Sequence, residues 1–184
     1  MTIRETDNPP MCFPENVLTD DTADGISWFA VYTKPRQEKA FARDMMNRDT
    51  GYFLPLVKQK QADGRRQRFS LIPLFTGYVF LKGNAGCRCV AFSTKRIVRM
   101  IDVMDQKLFR KELNIVHTAV TYREIGICDQ RVMKGRKVRI TDGPLKGIEG
   151  TVLQRKNRRD LIIQLDSIDQ ALRIAVESDR IEAV

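Results

Sequence analysis

A chain of 184 residues is long enough for one or two domains, and its 42% hydrophobic and 30% charged content excludes a chain that is disordered throughout. No apolar run reaches the ~18 residues of a membrane span, and no basic start followed by an apolar stretch marks a secretory leader, so a cytoplasmic location is expected. The net charge of +9 is unevenly placed: residues 1–24 carry one basic and six acidic side chains, which leaves a body of 31 basic and 17 acidic residues, a net +14 suited to a polyanionic partner.

Residues 1–25 are acidic, contain Pro9, Pro10 and Pro14, and read as a flexible tail. The aromatic and β-branched run ISWFAVYT at 26–33 predicts a buried strand. Lys34 to Glu38 opens a helix over 36–49, with Pro35 suited to its first turn and Glu38 to its positive end. Tyr52 to Val57 is a second strand, broken or placed at an edge by Pro55. The basic arm 58–70 turns at Asp63-Gly64, a strong hairpin signal, and returns through Phe69 to Pro73. Tyr78 to Leu81 is another buried strand, a short helix fits 84–94, and Ile97 to Val103 is a further strand. Asp105 then caps a helix that aligns Phe109, Leu113, Val116 and Val120. Residues 122–134 show no period and are expected to be a linker. Strand patterns at 137–140, 150–154, 160–165 and 171–176 follow, and such a series of short strands implies a small β-barrel. The expected fold class is therefore α+β, an antiparallel sheet flanked by helices over 26–121, followed by a barrel over 135–184.

Cys12, Cys87, Cys89, Cys128 and His117 are the raw material for metal or redox chemistry. One residue separates Cys87 from Cys89, short of a zinc-knuckle spacing, so reduced thiols, no metal and no cofactor are expected. His117 falls in the last helix as a surface residue rather than a base, and no phosphate-cradling glycine loop is present. An enzyme is not expected.

The stretch Gly135-Arg-Lys-Val-Arg-Ile-Thr-Asp-Gly143-Pro-Leu-Lys-Gly147-Ile-Glu-Gly150-Thr-Val resembles the KOW motif of transcription elongation factors and ribosomal proteins. Upstream, WFAVYTKPRQEKAF resembles the opening strand and helix of NusG N-terminal domains, and Pro73-Leu-Phe-Thr-Gly-Tyr-Val-Phe80 resembles that domain's PLFPGYVFV-type strand, with Thr76 where proline is usual. At 93–99 Arg96 stands where the family usually has a turn glycine. The resemblance covers about residues 26–184 and implies an SH3-like KOW barrel behind the first domain. The basic hairpin, the long N-terminal extension and the Thr-Lys-Arg turn look more like a specialised paralogue of the RfaH type than a general factor.

This resemblance implies a transcription elongation and antitermination factor. Its N-terminal domain would bind the clamp helices of the largest subunit of RNA polymerase through Tyr32, Phe75, Tyr78 and Phe80. Lys34, Arg36 and Gln37 would meet non-template DNA, while Thr94, Lys95 and Arg96 would face the opposite rim of the cleft. Lys58, Lys60, Arg65, Arg66 and Arg68 of the arm would reach upstream DNA. Arg155, Lys156, Arg158 and Arg159 would form a hairpin tip for nascent RNA. A ribosomal small-subunit protein or Rho is the other partner the family suggests for the barrel. The rival is a ribosome-associated or RNA-binding KOW protein that does not act on polymerase. The β-branched content of 137–176 favours a permanent barrel over a domain that switches fold.

Overall fold

The computed structural model describes residues 8–19, 25–63, 66–122, 125–127, 136–155, 158–165, 168–176 and 181–183. They belong to two units, Met1–Arg110 and Lys111–Val184. In chain order the elements are β1 (Cys12–Phe13), β2 (Ser27–Thr33), α1 (Glu38–Met46), β3 (Gly51–Phe53), β4 (Leu56–Asp63), β5 (Arg66–Pro73), β6 (Tyr78–Gly83), α2 (Ala85–Ser93), β7 (Ile97–Asp102), α3 (Gln106–Thr121), β8 (Ile125–Ile127), β9 (Arg136–Ile140), β10 (Glu149–Arg155), β11 (Arg158–Leu165), β12 (Gln170–Val176) and β13 (Ile181–Ala183).

In the first unit an antiparallel sheet of five strands runs β1-β3-β6-β2-β7, with β4 and β5 as a separate ribbon. Alternation along β2 and β6 sends residues to both faces, and both faces are covered, which is why these strands read as continuous apolar runs. On one face Phe29, Val31, Val79 and Leu81 pack with Phe41, Ala42 and Met45 of α1 and Ala91 of α2. On the other, Phe80 meets Phe53 at 6.0 Å, Phe75 at 6.1 Å and Phe109 at 5.6 Å between ring centroids. Gln106 ties the start of α3 to β2, accepting from the Trp28 amide at 2.7 Å and donating to the Trp28 carbonyl at 3.0 Å. Asp105 caps α3 as expected, accepting from the Leu108 amide at 2.9 Å. The first unit ends at Arg110, within α3; along the whole helix the buried side runs through Phe109, Glu112, Leu113, Val116 and Ala119, and Val120, expected there, is only half-buried.

The sequence places several local features differently. Residues 8–19 are not a flexible tail: β1 pairs with β3, and Val17 and Leu18 are buried. Helix α1 starts at Glu38, with Pro35 outside it, because Arg36 takes a left-handed backbone at φ 61° that no helix accommodates. Pro55 ends β3 after Phe53 and separates it from β4, and its carbonyl accepts from Leu74 at 2.8 Å. The hairpin is present, its ladder running out to Asp63↔Arg66, one position beyond the expected turn. Part of the expected linker is strand β8, paired with β12.

The second unit contains an antiparallel sheet ordered β13-β9-β10-β11-β12-β8, six strands where the sequence pattern gave four. The additional two are the short flanking strands β8 and β13. The described residues of the second unit thus form a β-rich antiparallel unit. Gly150 in the KOW-like stretch is explained by close approach: a Cβ there would stand 2.6 Å from the Ile162 carbonyl oxygen.

Burial pushes the Cys12 thiol up to about 11, with Glu15 adding to the effect, and pushes the Tyr52 phenol up to about 12. Both groups favour their neutral forms when folded. The Cys12 contribution is therefore complete below the ordinary thiol value of 9.0 and is lost as pH rises through about 11, and that of Tyr52 is complete below 10.0 and is lost as pH rises through about 12. Two outcomes follow. At pH 8 alkylation with peptide mapping finds exposed Cys89 modified well before half-buried Cys12, and melting followed between pH 9 and 11 shows a steeper alkaline loss for the wild type than for Cys12→Ser.

Candidate functional site

The turn from β5 into β6 is fixed by the backbone of Gly77, at φ +83°. Its carbonyl accepts from the Thr33 amide at 2.7 Å and from the Thr33 hydroxyl at 3.2 Å. Its amide donates to Glu38 Oε1 at 2.7 Å. Glu38 is only 4% exposed, so at the head of α1 it serves as a buried acceptor rather than a solvated charge facing the helix dipole. A Cβ on residue 77 would lie 2.8 Å from the Tyr32 ring, so glycine both permits the turn and lets that ring lie across it.

Tyr32 pairs with Tyr78 on β6 and with Arg99 on β7, which places the three on one face of adjacent strands. The tyrosine rings meet edge-on at 5.3 Å, and the Arg99 guanidinium lies 5.5 Å from the Tyr32 centroid. Both tyrosines are half-exposed and Arg99 is exposed. A bulge after Tyr32 leaves Val98 outside the ladder and 57% exposed beside them.

Next to this patch two turns are braced together. The Lys34 amide donates to the Arg96 carbonyl at 2.7 Å, and Arg96 reaches Asp44 of α1 at 2.6 Å and Gln37 at 2.5 Å. Thr94 donates to Ala91 at 2.7 Å and accepts from the Arg96 amide at 3.3 Å. Arg36 and Lys95 hold φ angles of 61° and 59°, a conformation that disfavours a non-glycine residue by ~1–2 kcal/mol. Lys34, Arg36 and Lys95 are exposed, so the strained turns present cations to solvent.

This geometry revises the expected site. Phe75 and Phe80 are 1% and 0% exposed and belong to the core, leaving Tyr32 and Tyr78 as the accessible aromatics. The sets 34–37 and 94–96 stand side by side in one corner. Gln37 and Arg96, taken as contacts, are the braces of that corner. Arg99, Glu38 and Asp44 join the site through register and long-range contacts, which one-dimensional patterning does not specify. Period-two alternation with β2 is the signal that could have found Arg99, had the register been known.

In the arm, Lys58 is exposed. Lys58 and Lys60 occupy ladder positions opposite Leu71 and Phe69, while Arg66 and Arg68 lie opposite Asp63 and Gln61. Arg155, Arg158 and Arg159 are strand positions, with Arg155↔Arg158 the last pair of the β10–β11 ladder. Arg65 and Lys156 lie outside the described residues. In the second unit, Lys137, Glu149, Thr151, Ile162 and Gln164 line a cleft of about 250 Å³. Beside it the Arg139 guanidinium holds Glu149 below the usual carboxylate range through a 2.5 Å bond. His117, expected at the surface, is half-buried, and burial lowers its pKa. Among the described residues no helix is long and apolar enough to cross a membrane, and no three His, Cys, Asp or Glu side chains gather as metal ligands would.

A family model described as transcription termination factor nusG matches residues 26–125. Among solved structures, one on domain interaction in Thermotoga maritima NusG superposes with a TM-score of 0.52 at 14% identity, over 86% of this chain and 97% of that one, a likeness of fold. An MjSpt4:Spt5 complex, at 17% identity over 85% of this chain and 96% of that one, gives a TM-score of 0.29. No curated protein matches significantly.

The role of Gly77 is open to direct test. Gly77→Ala should lower stability by ~2–4 kcal/mol in urea titration, combining backbone strain with the ring overlap. Glu38→Ala should cost ~1–3 kcal/mol by stranding the Gly77 amide, and Glu38→Gln, which keeps an acceptor, should cost less.

Proposed function

We propose, from the premise that the chain belongs to the NusG family, that it is a transcription elongation and antitermination factor that rides on RNA polymerase. The observation that carries this reading is the Tyr32–Tyr78–Arg99 cluster, half-exposed on a rigid sheet beside a braced cationic corner. Aromatics held at low entropy cost on a sheet suit the apolar face of a helical partner, here the clamp helices of the largest subunit. Lys34, Arg36 and Lys95 suit the phosphates of non-template DNA alongside, with the arm cations Lys58, Lys60, Arg65, Arg66 and Arg68 reaching upstream DNA. Contact with both holds the clamp against the nucleic acid and opposes pausing.

The second unit is read as a binding module for nascent RNA through Arg155, Lys156, Arg158 and Arg159, or for a ribosomal small-subunit protein or Rho. The factor acts in the cytoplasm by binding rather than by catalysis. Its N-terminal extension and basic hairpin favour a specialised role of the RfaH type over a general one.

The test separates the aromatic contact from the ionic one. Tyr32→Ala with Tyr78→Ala in the full chain should abolish capture by core RNA polymerase and relief of pausing in a transcription assay. Replacing Lys34, Arg36 and Lys95 with Ala should leave polymerase capture in place but flatten the salt dependence of binding to single-stranded DNA by about 2 in log–log slope. Retained capture by the tyrosine variant would defeat the proposal.

A further inference from the structure

The family match begins at residue 26, yet residues 8–19 make an ordered set of contacts with the first unit. We propose that the β3 edge of the sheet is a binding groove for an extended peptide, and that residues 8–19 are its ligand, held in cis. The contacts follow the pattern of strand addition, in which main-chain bonds supply affinity and side-chain pockets supply selectivity. The Tyr52 hydroxyl donates to the Pro10 carbonyl at 3.1 Å, and the Leu54 amide donates to the Met11 carbonyl at 2.7 Å. Cys12 and Phe13 pair with Phe53 and Tyr52, and the Phe13 ring stacks on Tyr52 at 6.0 Å.

Beyond the strand the segment turns, through Val17 N to Pro14 O at 2.9 Å and Thr19 N to Asn16 O at 3.0 Å, and presents its carbonyls to cations. Lys82 Nζ donates to the Val17 carbonyl at 3.2 Å. Arg110 donates to Leu18 at 3.4 Å and to Thr19 at 3.2 Å. Val17 and Leu18 are 2% and 4% exposed, so the turn seats two aliphatic anchors. Gly51 makes room for them: a Cβ there would stand 3.2 Å from Val17 Cγ2.

What marks the segment as ligand is its place outside the matched residues 26–125, although its anchors Val17 and Leu18 are themselves buried. The cluster between the sheet and helices α1 and α2 has no fully buried member from 8–19, with only half-buried Phe13 packed against its margin. The groove takes a short strand carrying an aromatic residue, followed by a turn that carries two aliphatics four and five positions on. By occupying it, the chain keeps a sheet edge closed to strand addition by other molecules. This inference stands apart from the polymerase reading.

Replacing residues 20–24 of the full chain with a specific protease site allows the segment to be cut free under native conditions. The expected result is that the fragment stays with the remainder through gel filtration and is displaced by excess fluorescent peptide 8–19, while circular dichroism is unchanged. The same peptide carrying Leu18→Ala should bind roughly 10- to 100-fold more weakly. A fragment that leaves only when the remainder unfolds would overturn the proposal by making it part of the core. So would a folded, cleaved protein that refuses the peptide, whether as a monomer or as a dimer of copies.

Discussion

The peptide of Gly77 is held from both sides, by Thr33 through its carbonyl and by the buried Glu38 carboxylate through its amide. That pair of bonds joins the end of β2, the start of α1 and the entry to β6. A buried carboxylate without donors would be costly, and a buried amide without an acceptor likewise, so the two groups satisfy each other. Tyr32 crosses the same glycine, and its ring sets where Tyr78 and Arg99 stand. The exposed chemistry of this corner thus depends on a peptide that is itself buried.

The corner divides its work between two kinds of force. The tyrosines offer area that leaves water on contact, which favours a long-lived complex. The cations of 34–36 and 95 remain solvated and act at range, which favours encounter with a polyanion and fades with salt. Arg96 is spent internally on Asp44 and Gln37, fixing the two left-handed turns relative to each other. The positive balance of the body thus includes structural braces as well as solvated cations.

Elements with strong local signals were legible in the sequence: β2 from its apolar run, the β4–β5 hairpin from Asp63-Gly64, and the α3 cap from Asp105. The family was legible too, from the PLFTGYVF stretch, which lies within the matched residues 26–125 and whose Gly77 backbone few other residues can adopt. What one dimension hides is which face of a doubly covered strand is open. Tyr78 and Phe80 share a face by alternation, but only the packing of Phe53, Phe75 and Phe109 around Phe80 separates a core residue from a surface one. Residues 8–19 escape one-dimensional patterning for a related reason, since a segment held by main-chain bonds to a distant edge needs no periodicity of its own.

The most direct test is hydrogen exchange on the full chain with and without core RNA polymerase. The account predicts new protection centred on residues 30–34, 76–79 and 94–99, the three stretches that carry Tyr32, Tyr78 and Arg99 with the braced turns. Protection confined to 136–176, with the 76–79 turn exchanging as in the free protein, would contradict it.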